Sequence, residues 1–535
     1  MGGTPHAVDQ VPIRNDSDDM RLRPRLPWNR RTIWKVAAAV VFAAIVVGFF
    51  VFSRYWPFRR EAVVQALESG LSTKVEVGKF RETFFPRPGC VLDQVVFGSS
   101  LDGKMPPPVT IQQLAIKASY LSFLRPGTQI SFIRARGLQL FVPTYAHPTQ
   151  LKGFPRVTGG RDSKFSIDRL LLENSSITVV SGPKDPDPLI FGIALADLGP
   201  LASGRAANFR LRMTNAQPNG EIQCAGKIGP WNSKVPGQTP LSGEFSFQRA
   251  DLSTFKDIAG ILSARGAFRG RLGDVAVKGS SDIPDFEVTR TRHPVHLETA
   301  FDANVDGIHG DTVLNSVNAH FGGTAVAAEG TISGGKDTTG KTVSLSMSVR
   351  NGRVQDLLHM FTKADPPALT GPISLTAKAV LPPEPRAFIQ RLLLDGSFTI
   401  QQAKFTTPQT QENVKTLSER ARGIKDDPPE RIASDARATI SMRDGLARIS
   451  KLSFHVPGAH ANMAGTYNLL TERIDLLGTL QMEVDLSRST KGLKSALLKF
   501  VDPLFHRKHA GAIVPVKLDG TYSHPSFGFA LTPKK

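Results

Sequence analysis

The sequence predicts a mainly β protein: a single N-terminal transmembrane helix, then a long antiparallel β-sheet with a few short helices. Three observations predict it. Val36 to Phe52 is an unbroken apolar run, VAAAVVFAAIVVGFFVF. Across the whole chain, 47 Gly and 38 Pro punctuate the sequence into short segments, which suits strands and turns better than long helices. From about Phe209 onward, apolar and polar residues alternate with a period of two, as in strands with one dry and one wet face.

Extended to Ile33 and Ser53, the apolar run is 21 residues, about 30 Å as a helix, one hydrocarbon core. Lys35 lies near its end, where a long stem carries the ammonium to the headgroups. Trp34 stands at one edge and Tyr55 and Trp56 at the other, where amphipathic rings belong in a bilayer. A cleaved signal peptide would have a shorter apolar region behind a short basic start, with small residues at the cut; here 32 residues precede the run and SRYWP follows it. The expectation is an uncleaved anchor. Arg21, Arg23, Arg25, Arg30, Arg31 and Lys35 precede it, against Arg54, Arg59 and Arg60 beyond. That excess keeps the N-terminus in the cytoplasm and sends the bulk across the membrane. The implied location is a single-pass inner-membrane protein with its bulk in the periplasm.

The net charge is +19. The first 60 residues hold ten Lys/Arg against four Asp/Glu, and the remaining +13 is spread over the body. With no nucleic-acid motif and a body on the far side of the membrane, nucleic acid is excluded as a partner; anionic headgroups or acidic polysaccharide are the natural counter-charges. Cys90 and Cys224 fit no ligand pattern, and their spacing leaves pairing open.

Residues 1–32 read as a disordered basic cytoplasmic tail and 33–53 as the transmembrane helix. In 54–164, FRREAVVQALES (Phe58–Ser69) has helical spacing with Gly70 placed to end it. STKVEVGKF and CVLDQVVFG follow as strands across the Pro86–Gly89 turn, then VTIQQLAIKA, QISFIRARGLQLFVP, a Gly/Pro/basic loop at 147–163, and FSIDRLLLENSSITVV. In the middle region, 165–365, Phe209, Leu211 and Met213 share a face opposite arginines. VSLSMSV alternates Leu345, Met347 and Val349 with serines, and in the last region, 366–535, TLQMEVDL sets Leu480, Met482 and Val484 on one side. Helical candidates are few: Val354–Phe361, a stretch near Phe388, Gln411–Ile424 and Lys491–Phe505. They cannot cover the dry faces of some 25 to 30 strands, which must meet in sandwiches or line a groove. A loose Gly-x-φ-x recurrence (LSGEFSF, ARGAFRG, AEGTIS, LDGSFTI, MAGTYNL) is expected to place Gly where the chain turns or bulges.

No catalytic constellation appears: GxSxG, a Walker loop, HExxH and CxxC are all missing. His293/His296 and His506/His509 are H-x-x-H pairs without a third ligand, so no metal or cofactor is assigned. The expectation is not an enzyme. Thr490–Lys508 carries Leu493, Leu497, Phe500 and Leu504 at helical spacing with Lys491, Lys494 and Lys499. It reads as a basic amphipathic helix that lies in a headgroup layer or packs on the sheet.

The C-terminal segments LTGPISLTAKAVLPP (369–383), LLLDGSFTIQQAKFT (392–406), MRDGLARISKLSFHVPGAHANMAGTYNLLTERIDLLGTLQMEVDL (442–486) and IVPVKLDGTYSHPSFGF (513–529) resemble the AsmA-like family of membrane-anchored periplasmic proteins. So does the short helix, Gly70, VEVG and PRPG turn after the anchor. The resemblance implies a curved, groove-like sheet whose apolar concave face carries phospholipid, with envelope assembly as the context and envelope proteins as further partners. The groove candidates are then Leu345, Met347, Val349, Leu480, Met482 and Val484. The rival expectation is a non-enzymatic scaffold with a closed β core.

Overall fold

The computed structural model describes residues 41–43, 46–47, 56–98, 106–124, 128–143, 165–180, 188–202, 204–232, 234–334, 340–384, 386–422, 434–482, 513–522 and 524–529. The tail 1–32, Val484 and the basic stretch 490–508 lie outside these residues, as does most of the expected anchor. Its described residues, 41–43 and 46–47, are helical. Among the described residues no helix is long and apolar enough to cross a membrane. The chain divides into two compact units, one ending at Arg59 and one beginning at Arg60.

The second unit is built on one mixed sheet of 26 strands with a few short helices. Three strands are two residues long: Leu201–Ala202, Ile258–Ala259 and Leu369–Thr370. Each prolongs a long strand past a break at Pro200, Gly260 or Gly371, keeping the same partner. The other 23 lie side by side in chain order, from Val75–Thr83 to Pro525–Phe529. These two outer strands each pair on one side only among the described residues.

One pair departs from the expected antiparallel sheet: Thr128–Pro143 and Phe165–Val180 run parallel. A parallel neighbour needs a crossover of about a dozen residues or more, whereas a hairpin needs about two to five. The connection 144–164 has the longer kind of length. Helices form at Val354–Phe361, Phe388–Arg391 and Pro408–Arg422, as expected. The first helix, Arg60–Leu71, runs through Gly70 rather than stopping there, and the left-handed residue that ends it is Ser72, at φ 48°.

The recurrent glycines correct another expectation. Gly243, Gly266, Gly330, Gly396 and Gly465 lie inside strands, not at turns. They occupy dry-face positions, where a Cβ at Gly330 would overlap the carbonyl of Ser344 and one at Gly465 that of Asp475. Several lie beneath phenylalanines of adjacent strands. A Cβ at Gly266 would come within 2.9 Å of the Phe245 ring, at Gly243 within 2.7 Å of Phe268, and at Gly279 within 2.8 Å of Phe301. Each ring thus reaches over bare backbone of the neighbouring strand, and that backbone lets the sheet bend toward its apolar side.

The bend brings opposite rims together. Asp257, Arg290 and Ala368 lie at one set of strand ends; Phe388, Leu470 and Tyr522 lie at the other. The Phe388 amide donates to Asp257 Oδ2 at 2.7 Å, Arg290 donates to the Leu470 carbonyl, and the Ala368 amide donates to the Tyr522 hydroxyl at 3.2 Å. These contacts join loops seven, nine and seven strands apart in the sheet. Tyr467, on the dry face in register with Ala447 and Ile474, packs against Tyr522 with ring centroids 6.5 Å apart. The rims therefore meet over the apolar side, in a rolled ribbon.

The glycine–phenylalanine packing has a measurable consequence. Gly266→Val should lower stability by about 1–3 kcal/mol, since its side chain has no space without moving Phe245 or the Lys278 backbone. Gly70→Ala, with no atom within 4 Å of its new methyl, should be neutral or raise stability by up to about 1 kcal/mol. Urea-unfolding midpoints of the two variants compare them directly.

Candidate functional site

Cross-strand register places apolar residues in one row over nearly the whole sheet. Residues opposite one another in a ladder point to the same face. Phe80 pairs with Leu92, Leu92 with Leu114, Leu114 with Ala135, and Ala135 with Leu172. Through Ala196 the row reaches Leu211, Cys224 and Phe245. Gly266, Gly279, Phe301, Val317 and Ala328 carry it to Met347 and Ala377. It continues through Gly396, Ile440, Ile449 and Gly465 to Leu476 and Leu518. The row crosses 22 strands without a charged residue.

Coverage of this face differs along the sheet. In the middle, Ile261–Arg271 alternates strictly between exposed and half-buried residues, and Ala207–Asn215 and Thr324–Gly334 do so after a buried first residue. The half-buried ones are the apolar set. A second sheet packed on them at about 10 Å would bury them fully, and they stay half-buried. Toward the C-terminus the face is sealed. Helix Val354–Phe361 covers Val349, Ile373 and Ile400, while Val414 of the helix Pro408–Arg422 packs on Met463, Leu476 and Leu480.

The rim contacts set the width of the roll. Seven to nine strands at about 4.8 Å, combined with strands of about 35 Å, give a circumference of roughly 50 Å and about 16 Å between facing backbones. That exceeds the packed-sheet distance by about 6 Å.

The sequence-derived groove residues divide between these two environments. Leu345 and Met347 are half-buried on the apolar face, and Met347 is in the row itself. Val349 and Leu480 are 2% and 5% exposed, within the sealed clusters. Met482 packs against the Leu480 cluster, and Val484, Leu493, Leu497, Phe500, Lys491 and Lys494 lie outside the described residues. Sequence reasoning missed the first part of the row, Phe80 to Ala196. Its strands are buried more irregularly, so their period-2 signal is weak, and only register connects them.

The opposite face is polar. A cleft of about 890 Å³ runs along Asn318, Ser348, Thr376 and Ser397, with Lys378 and Asp395 alongside. Cross-strand ion pairs lace this face: Lys278–Asp302 at 2.8 Å, Arg169–Asp197 at 2.8 Å and Arg443–Asp395 at 2.7 Å. Each is solvent-exposed and contributes at most about 1 kcal/mol. His293 and His296 do not converge on a ligand. His293 stacks on His359 with centroids 4.3 Å apart, and His296 Nε2 bonds Asp282, which raises its pKa. Glu298 completes an exposed trio with them, already engaged as an ion pair. Cys90 and Cys224 are both free thiols; burial pushes Cys90 up to about 12.

Comparison with family models, with curated proteins and with solved structures gave no match.

The parallel pair carries the strongest ion cluster. Glu173 accepts from Arg134 Nε at 2.9 Å and Arg136 Nε at 2.9 Å, and these hydrogen bonds hold its carboxyl down to about 2. A depressed acid stabilises the fold above its unfolded pKa and stops doing so as pH falls through the folded one. Glu173→Gln should therefore unfold more readily than the parent at pH 7, and thermal unfolding should show the difference shrinking from about pH 4.5 and vanishing near pH 2.

Proposed function

We propose that this chain is a membrane-anchored, non-enzymatic protein whose rolled apolar sheet face binds or conducts lipid. The observation that carries the reading is the charge-free row from Phe80 to Leu518, left half-open through the middle of the sheet. Half-buried apolar side chains around a gap of about 6 Å match the girth of an acyl chain in single file, and acyl chains then take the place of a second sheet. Residues 33–53 serve as the single-pass anchor in the inner membrane. The basic residues before it hold the N-terminus in the cytoplasm, and the sheet lies in the periplasm. The described residues of that span are helical and present Val41, Phe42, Val46 and Val47 outward, as a lipid-facing helix does. The AsmA-like segments at 369–383, 392–406, 442–486 and 513–529 agree with this reading, in which a curved groove supports assembly of the outer envelope.

A second reading, a scaffold for envelope-assembly proteins with a closed β core, draws on the sealed clusters around Val349 and Leu480. One pair of variants separates the two. If lipid occupies the roll, Met347→Glu should strip co-purifying phospholipid, measured by mass spectrometry, while far-UV circular dichroism stays unchanged. Val349→Glu should unfold the protein, because an unpaired charge there is fully buried. Unchanged lipid in Met347→Glu, or no lipid in the parent, would sink the lipid reading and leave the scaffold.

A further inference from the structure

Two loops at one end of the first strands expose a cluster of large apolar side chains that the apolar row does not include. Strands Val75–Thr83, Gly89–Phe97 and Val109–Lys117 are consecutive in the sheet. The turn after the first and the 3-10 helix Tyr120–Leu124 after the third emerge at the same edge. There Phe85 is 90% exposed, Leu121 66% and Phe84 53%, with Tyr120 and Phe123 also exposed. Single exposed apolar residues are ordinary; five on two adjoining loop tips are not.

The loops are fastened in place. The Tyr120 hydroxyl donates to the Phe84 carbonyl, the Tyr120 and Phe123 rings meet edge to face at 6.4 Å, and Ser122 is buried with its hydroxyl on the Ser119 carbonyl at 2.6 Å. The Ala118 amide closes onto the Pro88 carbonyl at 2.8 Å. The cluster is thus held outward by bonds made beneath it.

We propose that this aromatic tip inserts into the headgroup layer of a lipid bilayer. The rings project from loop tips, a shape that a bilayer accepts without a complementary cavity. Phenylalanine and tyrosine are the side chains that interfacial insertion favours. Exposed Arg87 and half-buried Lys117 flank the tip, and neither is in an ion pair among the described residues, so both are available to anionic headgroups.

The test uses the full chain in vesicles of phosphatidylcholine with and without phosphatidylglycerol, carrying an environment-sensitive fluorophore on Phe85→Cys in a Cys224→Ala background. The high thiol pKa and burial of Cys90 keep it unlabelled. The expected result is a blue-shifted emission, quenched by shallow doxyl-labelled lipid and quenched more with phosphatidylglycerol present. Ile308→Cys, an exposed apolar residue on another loop, should emit as in water. Carbonate extraction run in parallel reads the anchor separately. A Phe85 label that stays aqueous while the chain resists extraction overturns the insertion and leaves the anchor standing. Quenching in a chain that carbonate releases keeps the insertion and removes the anchor.

Discussion

An antiparallel strand with one apolar face exposes that face to water unless something covers it, and covering it is the constraint on which this structure depends. Full burial of a large aliphatic or aromatic side chain contributes roughly 1.5–3 kcal/mol. A row left half-open across more than twenty strands forfeits on the order of tens of kcal/mol, more than the net stability of a typical domain. The chain meets this in two ways. Helices Val354–Phe361 and Pro408–Arg422 seal part of the C-terminal portion. Elsewhere the sheet rolls until its rims touch through Asp257, Arg290 and Tyr522. Rolling lessens the exposure without ending it, because a roll about 16 Å across is wider than two interdigitated faces require.

Glycine inside strands makes the roll feasible. A glycine weakens a strand by removing a packing side chain, yet here the loss is offset by the neighbouring phenylalanine that lies over it. The pairs Phe245–Gly266, Phe268–Gly243 and Phe301–Gly279 repeat this arrangement on consecutive strands. The same device lets the sheet bend.

The outer face follows a different logic. Its arginines, lysines and carboxylates pair across strands at the surface, where water screens them and each pair is worth little. Their effect is on register: slipping a strand by one residue would turn these charges toward the apolar row. Glu173 between Arg134 and Arg136 is the most developed case, and it ties together the parallel pair, whose geometry rules out a hairpin to set its register.

Alternation alone determined much of the architecture. Period-2 patterns in NFRLRM, VSLSMSV and TLQMEVDL identified strands and their dry faces, and short amphipathic patterns located helices at Val354–Phe361 and near Gln411, because side-chain periodicity is a local property. Three things had to wait for the tertiary structure. The parallel junction depends on which end of a strand a long connection returns to, which composition does not record. The placing of Gly266 and Gly330 inside strands depends on close approach by a partner strand. The division of the groove candidates, with Met347 half-open and Val349 sealed two residues later, depends on where one helix folds back. Each is a contact between residues distant in sequence, so no window along the chain contains both halves of the cause.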